Sequence, residues 1–333
     1  MAALPPHAPV TRPGPGAPRK RVLVVEYSQS GQLSAITRQI VAPLLENGRI
    51  DVHVEKLRPE ADYPFPWPFF RFLDAFPESA HQVPPRLAPL GLTGDEDFDL
   101  VILPYQVWFL APSLPIQGFL ADPLAARLLA GKPVVTVVAC RNMWLLAQEK
   151  MKARLAALGA RLIDHVAFTD PGPTLATLVT TPRWMLTGRR DAWLGLPPAG
   201  IDAATIAGAA RFGHALAEAL DRDGEQGRGP LLAGLGAVTV DPRLLASEKV
   251  GTRSFFVWGK LLRWIGPPGA ARRVPALAAY VAFLIAAIIA VVPLSLTVQT
   301  LLRPLLRRRL GALKTHFEQP SGSGRERLSL YEH

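Results

Sequence analysis

From Val274 to Leu302 the chain carries no charged residue (VPALAAYVAFLIAAIIAVVPLSLTVQTLL). A helix of about 20 such residues spans the hydrocarbon of a bilayer. A soluble core would need a partner segment of comparable hydrophobicity, and the sequence offers none elsewhere. This segment is therefore expected to insert into a membrane. The charge distribution agrees: the net charge is +10, and between Lys249 and Lys314 there are eleven Lys or Arg and no Asp or Glu. The basicity flanks the apolar run, where it meets lipid headgroups. A nucleic-acid reader would carry that charge on its folded domain, so nucleic acid is not an expected partner. SFFVWGKLLRWIG, 254–266, mixes Trp and Phe with Lys and Arg, which suits an interfacial helix. Two topologies stay open. A single span would place one of its basic ends, Arg272–Arg273 or Arg303 with Arg307–Arg309, on the outside, whereas a break at Pro293 would give a hairpin with both ends cytoplasmic.

The first 250 residues have a different rhythm. Arg21–Glu26 (RVLVVE) is a short β-branched apolar run, the pattern of a buried parallel strand. Leu33–Leu45 repeats apolar residues at helical spacing, and Ile50–Val54 alternates as a second strand. Phe98–Pro104, Gly131–Cys140 and Arg161–Thr169 read as three more strands, with helices over Leu114–Leu129, Asn142–Leu158 and Ile201–Leu220. Alternating strands and helices give a doubly wound α/β domain, and five strands give the order 2-1-3-4-5 of flavodoxin. Residues 58–93 and 170–200 are aromatic-rich and Pro-rich insertions. The expected divisions are a disordered leader 1–19, the α/β domain 20–221, a linker 222–248, the membrane anchor 249–316 and a polar tail 317–333. The leader is Pro-rich and lacks the apolar stretch of a secretory signal. The only cysteine is Cys140, so no intramolecular disulfide forms. Both facts favour the cytoplasmic face of a bacterial inner membrane. The seven His show no metal-ligand spacing, and His165 reads as structural.

In such sheets ligands bind beyond the carboxyl ends of the strands, at the switch point. The loops after strands one, three and four therefore carry the candidate site. The first, Tyr27-Ser28-Gln29-Ser30-Gly31-Gln32, sets hydroxyls and backbone N–H groups at a helix N-terminus, which suits a phosphate. A Ser-rich helix cap would look the same. The second, Tyr105-Gln106-Val107-Trp108-Phe109, bears aromatics between Pro104 and Pro112. The third is Cys140-Arg141-Asn142-Met143-Trp144. Arg141 there would stabilise a developing anion such as an enolate, or would cap a surface carboxylate. Cys140 reads as a small buried residue, although Arg141 beside it would lower a thiol pKa.

The first loop resembles the FMN-phosphate loop of flavodoxins, Tyr-Ser-x-Thr/Ser-Gly-Asn-Thr. Ser28, Ser30 and Gly31 match, Gln32 replaces the Asn, and Leu33 replaces the Thr, with Ser34 next to it. DLVILPYQVWFLAPSLPIQGFL resembles the corresponding loop of quinone reductases and flavodoxins. The resemblance implies an FMN cofactor held by Ser28, Gln29, Ser30, Gly31, Gln32, Tyr105, Gln106, Trp108, Phe109, Arg141 and Asn142. Hydride transfer needs the substrate within van der Waals reach of the flavin ring, and Trp108, as a wall for the substrate, and Arg141 are the candidate catalytic residues. The segments 64–79, 105–115, 139–152 and 180–190 together resemble a narrower group, the dialkylresorcinol condensing enzymes. That resemblance implies oxidation of a dialkylcyclohexanedione-type lipid to the aromatic resorcinol, with flavin accepting the hydride. Condensation of the ketosynthase kind needs a Cys nucleophile with His partners, and no His is near Cys140 in sequence. The expected partners are an apolar lipid-like substrate, membrane lipids, and a second copy or a biosynthetic partner. A flavodoxin-like scaffold without flavin and a one-electron carrier are the other two functions considered.

Overall fold

The computed structural model describes residues 19–60, 62–301 and 303–331. The expected leader lies outside these residues but for Arg19, whose guanidinium donates to the Gly48 carbonyl and pairs with Asp51. In chain order the elements are β1 (Lys20–Glu26), α1 (Gln32–Glu46), β2 (Ile50–Lys56), α2 (Phe69–Asp74), α3 (Phe76–His81), β3 (Leu100–Trp108), β4 (Ala111–Pro112), α4 (Leu114–Ala121), α5 (Pro123–Leu129), β5 (Pro133–Cys140), α6 (Leu145–Ala157), β6 (Arg161–Thr169), α7 (Thr174–Thr187), α8 (Ala203–Ala207), α9 (Ala210–Leu220), α10 (Leu244–Ile265), α11 (Val274–Leu301) and α12 (Arg303–Glu318).

Five strands pair in parallel in the order β2-β1-β3-β5-β6. This is the flavodoxin-like order, with the switch between β1 and β3. β1 shows why such strands read as continuous apolar runs: Val22 to Val25 are all 0% exposed, because helices cover both faces. Each such side chain stabilises the fold by about 1.5–3 kcal/mol. α1 and α9 cross on one face at Gly213, where a Cβ would run into the carbonyl oxygen of Ile40.

Four expectations are corrected. The sheet has six strands, not five: β4 folds back antiparallel on β3, and the Ser113 N–H donates to the Gln106 carbonyl at 2.8 Å. The helix expected over 114–129 breaks at Asp122, because Pro123 bars the helical conformation before it. The Asp122 side chain instead caps α5 by accepting from Leu124 N–H. The insertions are not irregular; the first holds α2 and α3 and the second holds α7. The stretch 222–248, which reads as a linker, is part of the core. Leu232, Leu235, Val238 and Leu245 are buried, and Ala167 N–H in β6 donates to the Ala237 carbonyl.

The residues after α12 also return to the sheet. Phe317 is buried in the main core, and Ser321 Oγ donates to Asp164 Oδ1 at 2.6 Å while accepting from His165 N–H at 2.7 Å. Gly236 N–H donates to the Gly324 carbonyl, and Arg327 reaches the carbonyls of Leu231 and Ala233. α11 runs unbroken through Pro293. Its first half packs Leu277 and Tyr280 against Phe76 and Leu262. Among the described residues one helix, over Ala271–Ala290, is long and apolar enough to cross a membrane by length and composition.

Candidate functional site

The first loop leaves β1 at Glu26 and enters α1 at Gly31. Gly31 sits at φ 80°, a left-handed conformation open to glycine, and nothing lies within 4 Å of where its Cβ would be. Gly31 has no side chain with which to cap α1, so the side-chain cap of that terminus among the described residues comes from Ser28, and the positive end of the helix dipole lies at this loop. Ser28 Oγ accepts from Ser34 N–H at 3.3 Å, and the Ser34 hydroxyl donates to Glu26. Leu33, at the family's Thr position, points into the core at 2% exposure. Gln29 and Gln32 tie the loop to both insertions: Gln29 Nε2 donates to the Pro64 carbonyl at 3.0 Å, and Gln32 Nε2 to the Ile201 carbonyl at 3.2 Å.

β3 carries the second loop, and the alternation of its side chains separates the residues expected together. Gln106 faces the first loop, and its Nε2 donates to the Tyr27 carbonyl at 2.9 Å. Its buried Oε1 has no donor among the described residues. Trp108, two residues on, lies on the same side of the strand. The ring is 7% exposed and packs edge-on against Tyr63 at 5.0 Å, Trp67 at 5.3 Å and Tyr27 at 6.1 Å. Burial pushes the Tyr63 phenol up to about 12 and Tyr27 up as well, so both stay neutral donors. Tyr105 points the other way. It is fully buried, and its hydroxyl donates to Gln148 Oε1 at 2.6 Å. Gln148 Nε2 then donates to Thr136 Oγ1, which bonds His165 Nδ1 at 2.9 Å. This chain of polar groups knits β3, α6, β5 and β6 together, with His165 as its structural end. Phe109 also leaves the site. With Leu110 it forms the β3–β4 turn, both at positive φ (50° and 60°), a conformation rare for bulky residues. Its ring packs on Phe72 and Phe255 at 5.0 and 5.4 Å, on the side of α10.

The third loop follows β5. Arg141 is half-buried, and its guanidinium meets neutral groups: Thr177 Oγ1 at 3.2 Å, the Thr174 carbonyl at 3.4 Å and Met143 Sδ at 3.3 Å. Burial pushes its pKa down, while Cys140 and Asp170 pull it up. Asn142 Nδ2 donates to Thr174 Oγ1 at 3.4 Å, and its Oδ1 is a second buried acceptor without a donor. Burial and the Glu248 carboxylate push the Cys140 thiol up, more than Arg141 lowers it. Cys140 is therefore no thiolate nucleophile at neutral pH.

The structure thus brings Ser28, Gln29, Ser30, Gly31, Gln32, Gln106 and Trp108 to one end of β1 and β3, with Arg141 and Asn142 in the loop that follows the neighbouring strand β5. Sequence reasoning placed Tyr27 in the first loop without a role, and missed Thr174, Thr177 and Glu248 around them. The alternation of β3 could have separated Tyr105 from Gln106; nothing local marks Glu248, which arrives from α10. A cavity of about 860 Å³ adjoins the site. Tyr63 lines it together with Asp74, Glu78, Arg273, Leu114 and Leu277. Among the described residues no group of three His, Cys, Asp or Glu could hold a metal ion.

No family model matches the chain, and no curated protein matches it. Solved structures do. A flavoprotein in complex with FMN from Lactobacillus acidophilus is 16% identical, aligned over 45% of this chain and 93% of its own, with a TM-score of 0.36. A flavodoxin from the domain Archaea is 14% identical over 60% and 96%, with a TM-score of 0.33. A flavone reductase is 13% identical over 79% and 97%, with a TM-score of 0.32. The fold assignment itself rests on the strand order.

Several features on the three loops suit an isoalloxazine nucleotide. Gly31 leaves free space at the N-terminus of α1, a position that suits a phosphate. Gln106 Oε1 and Asn142 Oδ1 are buried acceptors that need donors, and a flavin supplies an N–H and ribityl hydroxyls. Arg141, lacking a carboxylate partner in those contacts, suits a neighbour that becomes anionic.

Proposed function

We propose that the chain is an FMN-dependent oxidoreductase attached to the cytoplasmic face of a membrane. Its substrate is an apolar cyclic diketone, of the dialkylcyclohexanedione type that yields a dialkylresorcinol. The observation that carries the cofactor is the Ser28–Gly31 loop at the N-terminus of α1, with free space at Gly31, together with the unpartnered Gln106 Oε1. FMN, when bound, supplies hydride acceptance. The protein supplies the rest. Ser28, Ser30 and the N–H groups at Gly31 and Gln32 bind the phosphate. Gln106 and Asn142 accept from ring or ribityl donors, and Arg141 holds positive charge where negative charge develops. Trp108, with Tyr27 and Tyr63 around it, excludes water from the ring face. A carbon–carbon condensation through Cys140 finds no support, since its thiol is held protonated.

A second reading, a scaffold that has lost flavin, is favoured by two observations. Leu33 is buried where the family has a hydroxyl, and Tyr63 and Trp67 pack directly on Trp108. One experiment separates the two. The full chain, purified in mild detergent, is titrated with FMN and with riboflavin by fluorescence quenching. FMN is expected to bind more tightly, and Ser30→Ala to weaken it by about 1.5–3 kcal/mol, the scale of a hydrogen bond to a charged group. Equal affinity for the two ligands sinks the phosphate assignment, and no binding of either favours the scaffold.

A further inference from the structure

The segment before α11 and the segment after α12 dock on the same domain. Before it, α10 packs on α3 and α6, and Glu248 accepts from the N–H groups of Leu145 and Leu146. Arg273, 1% exposed at the threshold of α11, is held by Asp74 at 3.0 Å and Glu78 at 2.8 Å. After it, Phe317 enters the main core and Ser321 bonds Asp164. Both ends of the apolar excursion are therefore fixed to one body.

The lengths then limit where α11 can go. α12, with 16 residues, is the only link between the end of α11 and the docking point at Phe317. A helix of that length measures about 24 Å, at 1.5 Å per residue. The hydrocarbon of a bilayer is about 30 Å thick. If α11 crossed, α12 would have to recross with Arg303, Arg307, Arg308, Arg309 and Lys314 on it. Each such residue is strongly disfavoured at the bilayer centre. Arg307, Arg308 and Arg309 are exposed, as headgroup contacts need to be. The described open face of α11 is apolar, and that of α10 interleaves apolar and aromatic residues with exposed Lys249, Arg253, Lys260 and Arg263, as an interfacial helix does. Trp264 is 82% exposed and Ile289 70%, with Phe256, Val257, Phe283 and Ile285 also outside. No Asp or Glu interrupts the stretch from Lys249 to Lys314.

We propose that α10, α11 and α12 form a monotopic anchor. They seat in one leaflet of an anionic lipid bilayer, and both flanks stay on the side of the sheet domain. Apolar faces enter the acyl region, and the arginines of α12 meet phosphate headgroups of that same leaflet. This seat needs no flavin, so it fails or stands separately from the cofactor assignment.

The test adds the full chain to preformed, sealed vesicles of mixed phosphatidylcholine and phosphatidylglycerol. In a Cys140→Ser background, single cysteines are placed before α11 (Pro268→Cys) and after α12 (Leu330→Cys), both at exposed positions. A membrane-impermeant maleimide is applied outside, before and after lysis, and retention is scored by flotation in high salt and in carbonate. The expected result is retention in both washes, with both cysteines labelled to the same extent before lysis as after it. Labelling of Leu330→Cys only after lysis establishes a single span and overturns the proposal. Release by high salt alone, or a failure to bind these vesicles, overturns it also. The open faces then serve a protein partner or a second copy, not lipid.

Discussion

Replacing Glu248 by glutamine isolates the cost of burying one carboxylate. Glu248 is 0% exposed and accepts from Leu145 N–H at 3.1 Å and Leu146 N–H at 2.7 Å. It thus caps α6 from α10, at a terminus where no local side chain does so. Desolvation raises its pKa from 4.5 to about 7, against the lowering effect of the two N–H groups and Lys150. The folded state therefore keeps this proton longer than the unfolded chain. The stability it contributes is full below pH 4.5 and is lost as pH rises through about 7. At 1.36 kcal/mol per pH unit, the loss between pH 5 and pH 8 is about 2–3 kcal/mol. Glutamine keeps the shape and one acceptor and does not ionise. Urea unfolding of the full chain in mild detergent, followed by Trp fluorescence, measures both variants at both pH values. Glu248→Gln should match the parent at pH 5 within about 1 kcal/mol and exceed it by about 2–3 kcal/mol at pH 8. A parent more stable than the variant at pH 8 refutes the argument, because the ionised carboxylate would then be net stabilising at the α6 N-terminus.

Burial holds His165 neutral, lowering its pKa from 6.5 to about 3. Its contribution is full above pH 6.5 and about 2 kcal/mol of it is lost between pH 7 and pH 5; His165→Gln should flatten that acid limb of the urea midpoints. Trp108→Ala empties a packed aromatic cluster and should cost about 3–5 kcal/mol in the same unfolding assay. Ser321→Ala removes the donor to Asp164 and the acceptor for His165 N–H, so that amide should exchange faster and stability fall by about 1–3 kcal/mol. Gly213→Ala drives a methyl into the Ile40 carbonyl and should cost about 1–3 kcal/mol, visible as a lower thermal midpoint.

The parallel strands were legible because a strand covered on both faces must be apolar at every position, and RVLVVE states that directly. The loops followed from the strands. β4 was not legible, since two residues carry no period. Tyr105 was placed at the cofactor by resemblance, yet strand alternation sends it opposite to Gln106 and into the bond with Gln148. The stretch 222–248 looked like a linker because Gly, Asp and Arg dominate its start. Its apolar residues, Leu232, Leu235, Val238 and Val240, fit neither a helix nor a strand period, because they fill the flank of β6 as irregular chain. Contacts as distant in sequence as Asp164 to Ser321 leave no local mark at all.

The clasp on β6 also sets an order of events during synthesis. β6 is the edge of the sheet, and its flank is covered by residues 231–238 and by the segment from Phe317 to Tyr331. After Leu220 leaves the ribosome, roughly 100 further residues must follow before Ser321 can reach Asp164, which takes about 5–20 s at ordinary elongation rates. α11 emerges within that interval. By then residues 231–238 have already been made and Ala237 can meet Ala167 N–H, so what remains to close is the contact of Ser321 with Asp164 and His165. An open sheet edge is a template for wrong pairing between chains. The part of the β6 flank that the segment from Phe317 to Tyr331 covers stays open to such pairing until that segment is made.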